Sequence, residues 1–262
     1  MLDARELIRY ATLAASSHNT QPWKFRIQQD SITILPDFSR RCPVVDPDDS
    51  HLFKSLGCAA ENLVHAAAAQ GFSADVRFNT EQESIVIFLN RDASTRATDL
   101  YRAITARQCV RTAYDGTPLG APELEMLERA GEGRNVRTIM LFSTAQKDTV
   151  IDYVTRGNVA QLTDRAFRDE LVAWIRFNPG VAMRTGDGLS GRTFERFALQ
   201  ATALNVRTAF INQPIEVRSL RPQFESWLNL DREHALLMVR FGHGPTAPFS
   251  MRRPIDDVII AD

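Results

Sequence analysis

Residues 16–25 read SSHNTQPWKF, and this stretch decides how the start of the chain folds. Its first seven residues are Ser, His, Asn, Thr and Gln ending at Pro22, a composition typical of a turn. Apolar Trp23, Phe25 and Ile27 then alternate with basic residues, which is the period of a half-buried strand. The stretch predicts a strand that leaves directly from a polar turn. That turn either presents donors and acceptors to a planar polar ring or is an Asx-type turn that merely starts the strand.

Periodicity predicts a mixture of helices and strands up to residue 95. Asp3 and Glu6 form a capping pair for a first helix, and Ser50 is predicted to cap a central helix that Gly71 ends. Apolar residues cover the central helix almost all round, so we expect it to be buried. The predicted elements are a helix to about residue 15, strands at 23–27, 32–35, 76–78 and 85–89, a loop at 36–49, the central helix at 52–70 and a linker at 91–98.

The second part of the chain begins as the first does, with a helix around Leu100 that runs into a polar segment. The shared plan of helix, polar segment, sheet and small-residue helix suggests an internal duplication, although no fixed-period identity accompanies it. The predicted elements are that helix, the polar segment 107–114, a Pro-led helix at 123–130 ended by Gly131, a strand at 139–142, a helical region at 147–177, a Gly-rich loop at 179–191, a helix at 194–204, a polar loop at 205–214, a strand at 235–241 and a loop at 242–254.

Composition is that of a soluble globular protein and limits the expected partners. The 262 residues are 44% apolar and 24% charged, and 31 basic against 32 acidic side chains give a net charge of −1. No positive excess is present to hold a polyphosphate backbone, so no nucleic acid partner is expected. Apolar runs are shorter than a bilayer and residues 1–10 are charged, so no membrane is expected. Three cysteines without a CxxC pair predict a reducing, cytoplasmic location.

Three motif matches are better explained by structure than by chemistry. Residues 186–191 fit GxGxxG, but residues 177–185 before them lack a strand pattern, so we interpret the segment as a loop. The five histidines have no metal-ligand spacing and are interpreted as surface or core residues. A catalytic triad built on Ser17 and His18 is disfavoured because adjacent side chains in such a turn seldom reach each other, and no GxSxG elbow is present.

Two arginine-bearing segments could hold a phosphate. Arg107, Cys109 and Arg111 alternate along an extended segment, so their side chains are predicted on the same side, with two guanidinium forks that match a phosphate dianion. The pair formed by Arg252 and Arg253 offers a second group of donors near the other end of the chain. Solvated surface charge is the alternative interpretation of all these arginines.

Together these segments resemble the flavin-dependent nitroreductase family. Residues 16–25 resemble its S-S-x-N-x-Q-P-W-x-F loop, and residues 107–114 resemble its R-x-S-x-R-x-[FY] element, with Cys109 for the usual Ser. Residues 58–71 resemble its core helix, and residues 252–258 resemble its R-R-P-L-x-x-V ending. Residues 17–23, 170–176 and 187–189 resemble the Acg-type branch, in which two nitroreductase halves are fused. The resemblance implies an α+β fold, a three-layer α/β/α sandwich built as a fused pseudo-dimer, with halves at 1–95 and 96–262 that share one core.

The resemblance also implies one FMN site between the two halves, because the family's phosphate grip and its Ser-Asn turn come from different subunits. The residues that would hold the phosphate and ribityl chain are Arg107, Cys109, Arg111, Arg252 and Arg253. The residues that would meet the isoalloxazine ring are Ser16, Ser17, Asn19 and Gln21. Asn212 and Gln213 occupy the place where the family brings backbone N–H groups to flavin N5, although its usual Glu-Gly is absent.

The function implied by the resemblance is that of an NAD(P)H-dependent flavin oxidoreductase that reduces a nitroaromatic or quinone-like acceptor. No catalytic side chain is expected, since the flavin carries the chemistry. The alternatives are a protein that sequesters or stores FMN with little turnover, and an interaction domain with a degenerate site. A monomer acting as a pseudo-dimer, or a homodimer, is expected. Between Gly191 and Phe194 the chain passes almost directly from loop to helix, whereas members of the family carry an intervening segment with a strand. The second half is therefore expected to lack a sheet strand or a lid.

Overall fold

The computed structural model describes residues 2–133, 135–174 and 191–260, which form a mixed α+β structure. The helices of these residues are α1 (Ala4–Ala11), α2 (Ser50–Ala69), α3 (Asp99–Ala103), α4 (Ala121–Ala130), α5 (Thr144–Thr163), α6 (Arg165–Trp174), α7 (Arg192–Ala203), α8 (Gln213–Glu216), α9 (Arg221–Trp227) and α10 (Ile255–Val258). The strands are β1 (Trp23–Ile27), β2 (Ser31–Pro36), β3 (Phe72–Asn79), β4 (Ser84–Arg91), β5 (Arg207–Phe210), β6 (Val239–Gly242) and β7 (Ile259–Ile260). Short 3-10 turns lie at Ser17–Asn19 and Phe38–Arg40.

The larger sheet has five strands in the order β3-β4-β2-β1-β7. Its first four strands pair antiparallel, whereas β7, from the far end of the chain, pairs parallel to β1 at Phe25 and Ile259. Phe25, Ile32, Ile34 and Ile87 point to one face and are almost fully buried. The last strand of the chain therefore completes a sheet that is otherwise built from residues before position 92.

Helix α2 packs between this sheet and α7. Its small and apolar residues, such as Leu56, Ala59 and Leu63, are buried on nearly every side. Gly57 permits the close approach to α7, because a Cβ at this position would lie 2.9 Å from Arg192 N. Gly71 follows the helix with a φ of +81°, the left-handed conformation that ends many helices. The core of the first part is thus continuous with the helix that precedes β5.

Most of the predicted elements are present, with adjusted bounds. The sheet flanked by helices confirms the α+β class, and the central helix, its Gly71 end and the β1–β2 pair are confirmed. The first helix ends at Ala11, earlier than predicted, and the region predicted as helical from residue 147 divides into α5 and α6 at Asp164. The fused pseudo-dimer and its domain bounds stay predictions.

Three predictions of local structure are wrong. Ser50 does not cap α2: the Asp46 carboxylate accepts hydrogen bonds from His51 N and Leu52 N, each at 2.9–3.0 Å. Residues 139–142 form no strand, since they follow an irregular path toward the cap of α5 at residue 143. Residues 205–214, predicted as a loop, contain β5, whose partner β6 covers only the end of the strand predicted at 235–241.

The described part of the second half contributes the two-stranded sheet β5-β6 and the short strand β7. Gly191 leads directly into α7, as the short spacing to Phe194 predicts. The GxGxxG match and the Gly-rich loop lie outside the described residues, except for Gly191. Among the helices that the structure describes, none combines the length and the apolar character needed to cross a membrane.

Candidate functional site

The turn between α1 and β1 has a strained backbone held by hydrogen bonds. His18, Asn19 and Gln21 have φ values of 48°, 56° and 47°, in the left-handed region that residues other than glycine seldom adopt. Gln21 N donates to Ser16 Oγ at 2.8 Å, and Ser17 N donates to an α2 hydroxyl at 3.3 Å. Such strain persists only where the surroundings enforce it, and it concentrates at binding sites. The turn is therefore a fixed, polar surface.

The segment 107–111 is extended and runs beside β5. Val110 N donates to Thr208 O at 2.9 Å, and a parallel bridge joins this part of the segment to β5. Alternation along an extended chain turns Val110 into the core, with none of its surface exposed, and turns its neighbours the other way. Arg107, Cys109 and Arg111 all line one cavity, as the spacing predicts, but Gln108 lines it as well, so the segment does not alternate strictly.

This cavity has a volume of about 370 Å³ and lies where the turn meets the arginine segment. Its lining, in the described part of the chain, consists of an arginine end (Arg107, Arg111, Arg252), an apolar wall (Leu171, Trp174, Phe210, Pro248, Phe249) and other residues of the turn and nearby loops (Ala15, Ser16, His18, Asn19, Gln108, Cys109, Ser250). No carboxylate is among these residues. The lining thus combines three cationic side chains with apolar and aromatic ones.

Arg107 and Arg252 lie side by side at the arginine end and share one acceptor. The Nη2 atoms of both arginines donate to Leu13 O at 3.1 Å. Arg107 Nε lies 2.9 Å from Glu195 Oε1, and Arg252 Nη1 donates to Asn19 Oδ1 at 3.1 Å. Arg252 Nε is buried and donates to none of the described residues. Two adjacent guanidinium groups thus share a backbone carbonyl, and one of them is paired with a carboxylate.

Arg111 differs from both of these arginines because its side chain is exposed. Among the residues that the structure describes, its guanidinium forms neither a hydrogen bond nor an ion pair; only its backbone oxygen is bonded, by Arg240 Nη2 at 2.7 Å. Arg111 therefore has its full set of donors available for an anion in the cavity.

The ionisation of the surrounding groups reflects burial together with this positive charge. Burial lowers the pKa of His18 to about 4, and the charge of Arg111 acts in the same direction. Burial also lowers the pKa of Arg252 to about 10, with a further contribution from Arg107. Burial raises the pKa of Glu195, an effect that Arg107 opposes. His18 is therefore neutral near pH 7, and an anion in the cavity would relieve the repulsion between the arginines.

The apolar wall is held by contacts between α6 and the loop before α2. The Glu170 carboxylate accepts hydrogen bonds from Val44 N at 2.8 Å and Val45 N at 2.9 Å. The guanidinium carbon of Arg40 lies 5.5 Å from the centre of the Trp174 ring, a cation–π distance. Phe249, which also lines the cavity, is 63% exposed. These aromatic surfaces suit a planar ring.

Of the predicted site residues, Ser16, Asn19, Arg107, Cys109, Arg111 and Arg252 line the cavity. The structure does not bring Ser17, Gln21, Asn212, Gln213 or Arg253 to it. Gln21 Oε1 accepts a hydrogen bond from Arg253 N at 2.9 Å, so these two residues join the turn to the C-terminal segment away from the cavity. Asn212 Oδ1 accepts from Met238 N at 2.7 Å and precedes α8, which begins at Gln213.

Sequence reasoning missed His18, Glu195, Trp174 and Phe249. His18 was interpreted as an ordinary surface or core histidine, yet it lines the cavity within the turn already singled out. Glu195 has a recognisable signal, because it is a charged residue on the buried face of α7. Trp174 lies in residues 170–176, which resemble the Acg-type branch, but no role was assigned to it. Its place at the cavity, like that of Phe249, depends on how α6 and the C-terminal loop pack.

The donor set of this cavity fits FMN. A phosphate monoester dianion matches an exposed guanidinium and a second guanidinium with an unused buried N–H, Arg252 Nε. The apolar wall matches a planar ring, and the volume of about 370 Å³ is within the range of small-molecule sites. A cationic end and an aromatic wall in one cavity define a site for a planar ligand that carries an anionic group.

Comparison with known proteins agrees with this class of site. No family model matches the chain. The chain is 29% identical over 180 residues to two proteins of Mycobacterium tuberculosis, from strains H37Rv and CDC 1551, each named "Putative NAD(P)H nitroreductase". The similarity covers 65% of this chain and 50% of each relative, so the chain matches about half the length of these relatives. It confirms the resemblance to the nitroreductase family that the motifs predict.

Proposed function

We propose that this cavity binds FMN and that the protein is an NAD(P)H-dependent flavin oxidoreductase of the nitroreductase type. The observation that carries the proposal is the meeting of two segments far apart in sequence. The turn at Asn19 and the arginines at 107, 111 and 252 line one cavity, as a shared ligand requires. The relatives' names, which describe NAD(P)H nitroreductases, support the same activity.

Each part of the cavity has a role in this proposal. Arg111 and Arg252 bind the FMN phosphate through charge-assisted hydrogen bonds, and Arg107 contributes charge beside them. The turn provides Asn19 and neutral His18 near the ribityl chain and the ring. Trp174 and Phe249 enclose the ring from the apolar side. Bound FMN supplies hydride transfer from NAD(P)H to a nitroaromatic or quinone acceptor.

Further features of the proposal concern the chain as a whole. The cavity takes residues from both proposed halves, 1–95 and 96–262, which supports one flavin site per chain within a fused pseudo-dimer, present as a monomer or as a homodimer. The three cysteines are free thiols, which supports a reducing, cytoplasmic location.

The visible absorption spectrum of the freshly purified protein tests flavin binding directly. We expect the oxidised flavin bands, and FMN in the supernatant after heat denaturation. Failure to bind FMN after reconstitution and gel filtration would overturn the proposal and leave the interaction domain as the alternative.

Turnover is tested by oxidation of NADPH and of NADH with a quinone present, compared with free FMN at equal concentration. We expect the loaded protein to exceed the rate of free FMN. Tight FMN binding with no excess rate would instead support the sequestering or storage protein.

A further inference from the structure

We propose that Glu195 is the positioning residue of the arginine end, a carboxylate outside the cavity that fixes Arg107 and the backbone of Ala15 toward a bound phosphate. This inference rests on the proposed function. Glu195 lies on α7 with no exposed surface, between core residues such as Phe194 and Ala198. A carboxylate in such surroundings is costly unless it is paired, so its partners identify its role.

Glu195 has three partners in the described part of the chain. Its carboxylate is hydrogen-bonded to the buried Cys58 thiol of α2, which does not line the cavity, and its other two partners belong to the cavity lining. Its Oε1 atom lies 2.9 Å from Arg107 Nε, and its Oε2 atom accepts a hydrogen bond from Ala15 N at 3.3 Å. Arg107 and Ala15 line the cavity, whereas Glu195 does not. One buried side chain therefore connects the turn before Ser16 with the arginine segment, and it acts through both of them.

The contacts of Arg107 determine which of its donors are available to a phosphate. Its Nη2 atom donates to Leu13 O, and its Nε atom faces Glu195, whereas Nη1 takes part in none of the hydrogen bonds among the described residues. The contact between Arg107 Nε and Glu195 Oε1 is an ion pair without hydrogen-bond alignment, so the Nη2 hydrogen bond anchors the rigid guanidinium and the Glu195 charge holds it in place. The negative charge of Glu195 also offsets the repulsion between Arg107 and its neighbour Arg252.

Glu61 is a matched comparison for Glu195. It lies on α2, is equally buried, and pairs with two arginines of α7, Arg192 and Arg196, the latter at 2.6 Å. None of these three residues lines the cavity. Glu61 therefore joins the same helix to the core without acting on the site, and Glu61→Gln controls for the loss of a buried charge.

The affinity ratio of FMN to riboflavin measures the phosphate interaction alone, since riboflavin lacks only the phosphate. We expect Glu195→Gln to reduce this ratio at least fivefold, and Arg107→Ala to reduce it by at least as much. The double variant Glu195→Gln with Arg107→Ala should lose less than the product of the two single losses, because Glu195 acts in part through Arg107. Glu61→Gln should leave the ratio unchanged.

Three results would overturn the proposal. The first is an unchanged ratio in Glu195→Gln, and the second is a higher ratio, which is expected if the variant removes a negative charge that has no positioning role. The third is a double variant in which the two single losses multiply. If Glu195→Gln does not fold, Glu195→Asp keeps the charge one methylene farther from Arg107, and it should still reduce the ratio. An unchanged ratio in that variant would equally count against the inference. Absence of binding of both flavins to the wild-type protein would be a failure of the proposed function instead.

Discussion

The two arginine-bearing segments use their side chains in different ways. In the segment 107–111, Arg107 and Arg111 are four positions apart and face the same cavity. In the C-terminal segment, Arg252 faces that cavity, whereas Arg253 turns inward and donates to Gln21 O at 2.9 Å and to Asp37 Oδ2 at 3.2 Å. Even spacing along an extended chain keeps side chains on one side, and odd spacing separates them. One arginine of the adjacent pair can therefore bind a ligand while the other supports the fold.

The largest effect is expected from Arg253→Ala, which tests the structural side of this comparison. The substitution removes the bond to Gln21 and the ion pair with Asp37, in which both side chains are at most 10% exposed. The Asp37 carboxylate keeps a hydrogen bond from Ser39 Oγ and has Lys24 Nζ at 3.9 Å as its remaining cation. We expect the free energy of unfolding to fall by about 3–5 kcal/mol in chemical denaturation.

The control for Arg253→Ala is Arg5→Ala, which removes an exposed pair with Asp256 and should cost about 1 kcal/mol or less. Equal losses in the two variants would show that the inward bonds of Arg253 contribute no more than a surface ion pair.

The charge of the cavity-facing arginines can be measured through the titration of His18. A pKa lowered to about 4 means that the folded state resists protonation, so its stability falls as the pH drops from 6.5 toward 4. His18→Asn suits the positive φ of this position and removes the titration. Between pH 7 and pH 4, we expect the free energy of unfolding of the variant to fall by about 3 kcal/mol less than that of the wild type.

Denaturation curves at several pH values compare the two proteins, and Arg111→Ala serves as a second measurement. Removing the Arg111 charge should raise the pKa of His18, which NMR of the imidazole protons can follow. Parallel pH profiles for wild type and His18→Asn would contradict the lowered pKa of His18.

Arg111→Ala tests the binding side of the comparison. Because its guanidinium has no partner among the described residues, its loss should leave stability within about 0.5 kcal/mol of wild type. FMN affinity should fall by about 1.5–3 kcal/mol, or roughly ten- to a hundredfold, the value of a charge-assisted hydrogen bond.

Titration of the protein with FMN, followed by flavin fluorescence, provides this measurement. Arg129→Ala, at an exposed ion pair of α4, is the control for loss of a positive charge and should bind FMN normally. Unaltered affinity in Arg111→Ala would place the phosphate elsewhere.

The smallest change in affinity is expected from Asn19→Ala. Asn19 Oδ1 accepts from the Arg252 guanidinium, and its Nδ2 donates to Met251 O at 3.0 Å, so the substitution removes one charge-assisted and one neutral hydrogen bond and loosens the turn. We expect a loss of about 0.5–1.5 kcal/mol in FMN affinity and a clearer change in the flavin absorption spectrum. A loss as large as that in Arg111→Ala would show that the turn, and not the arginine end, provides most of the affinity.

The local patterns predicted those elements that local physics controls. Alternation predicted β1, and the apolar stripe of α2 with Gly71 after it predicted a buried helix, since both depend on neighbouring residues. The cap of α2 was predicted wrongly because Asp46 reaches it across a loop, which a search for an adjacent Ser cannot find. Strand β5 was missed because it is short and is recognisable only by its pairing with β6.

The sequence by itself determined the chemistry that is available: a polar turn joined to a strand, and three alternating residues that can present two guanidinium groups to one side. The tertiary structure decided which groups meet. The packing of α7 brings Glu195 to Arg107, and the return of the C-terminal segment brings Arg252 to Leu13 and Arg253 to Gln21. Interactions between neighbouring residues follow the period of the helix or strand, so the sequence pattern predicts them. Contacts between distant segments depend on how complete elements pack.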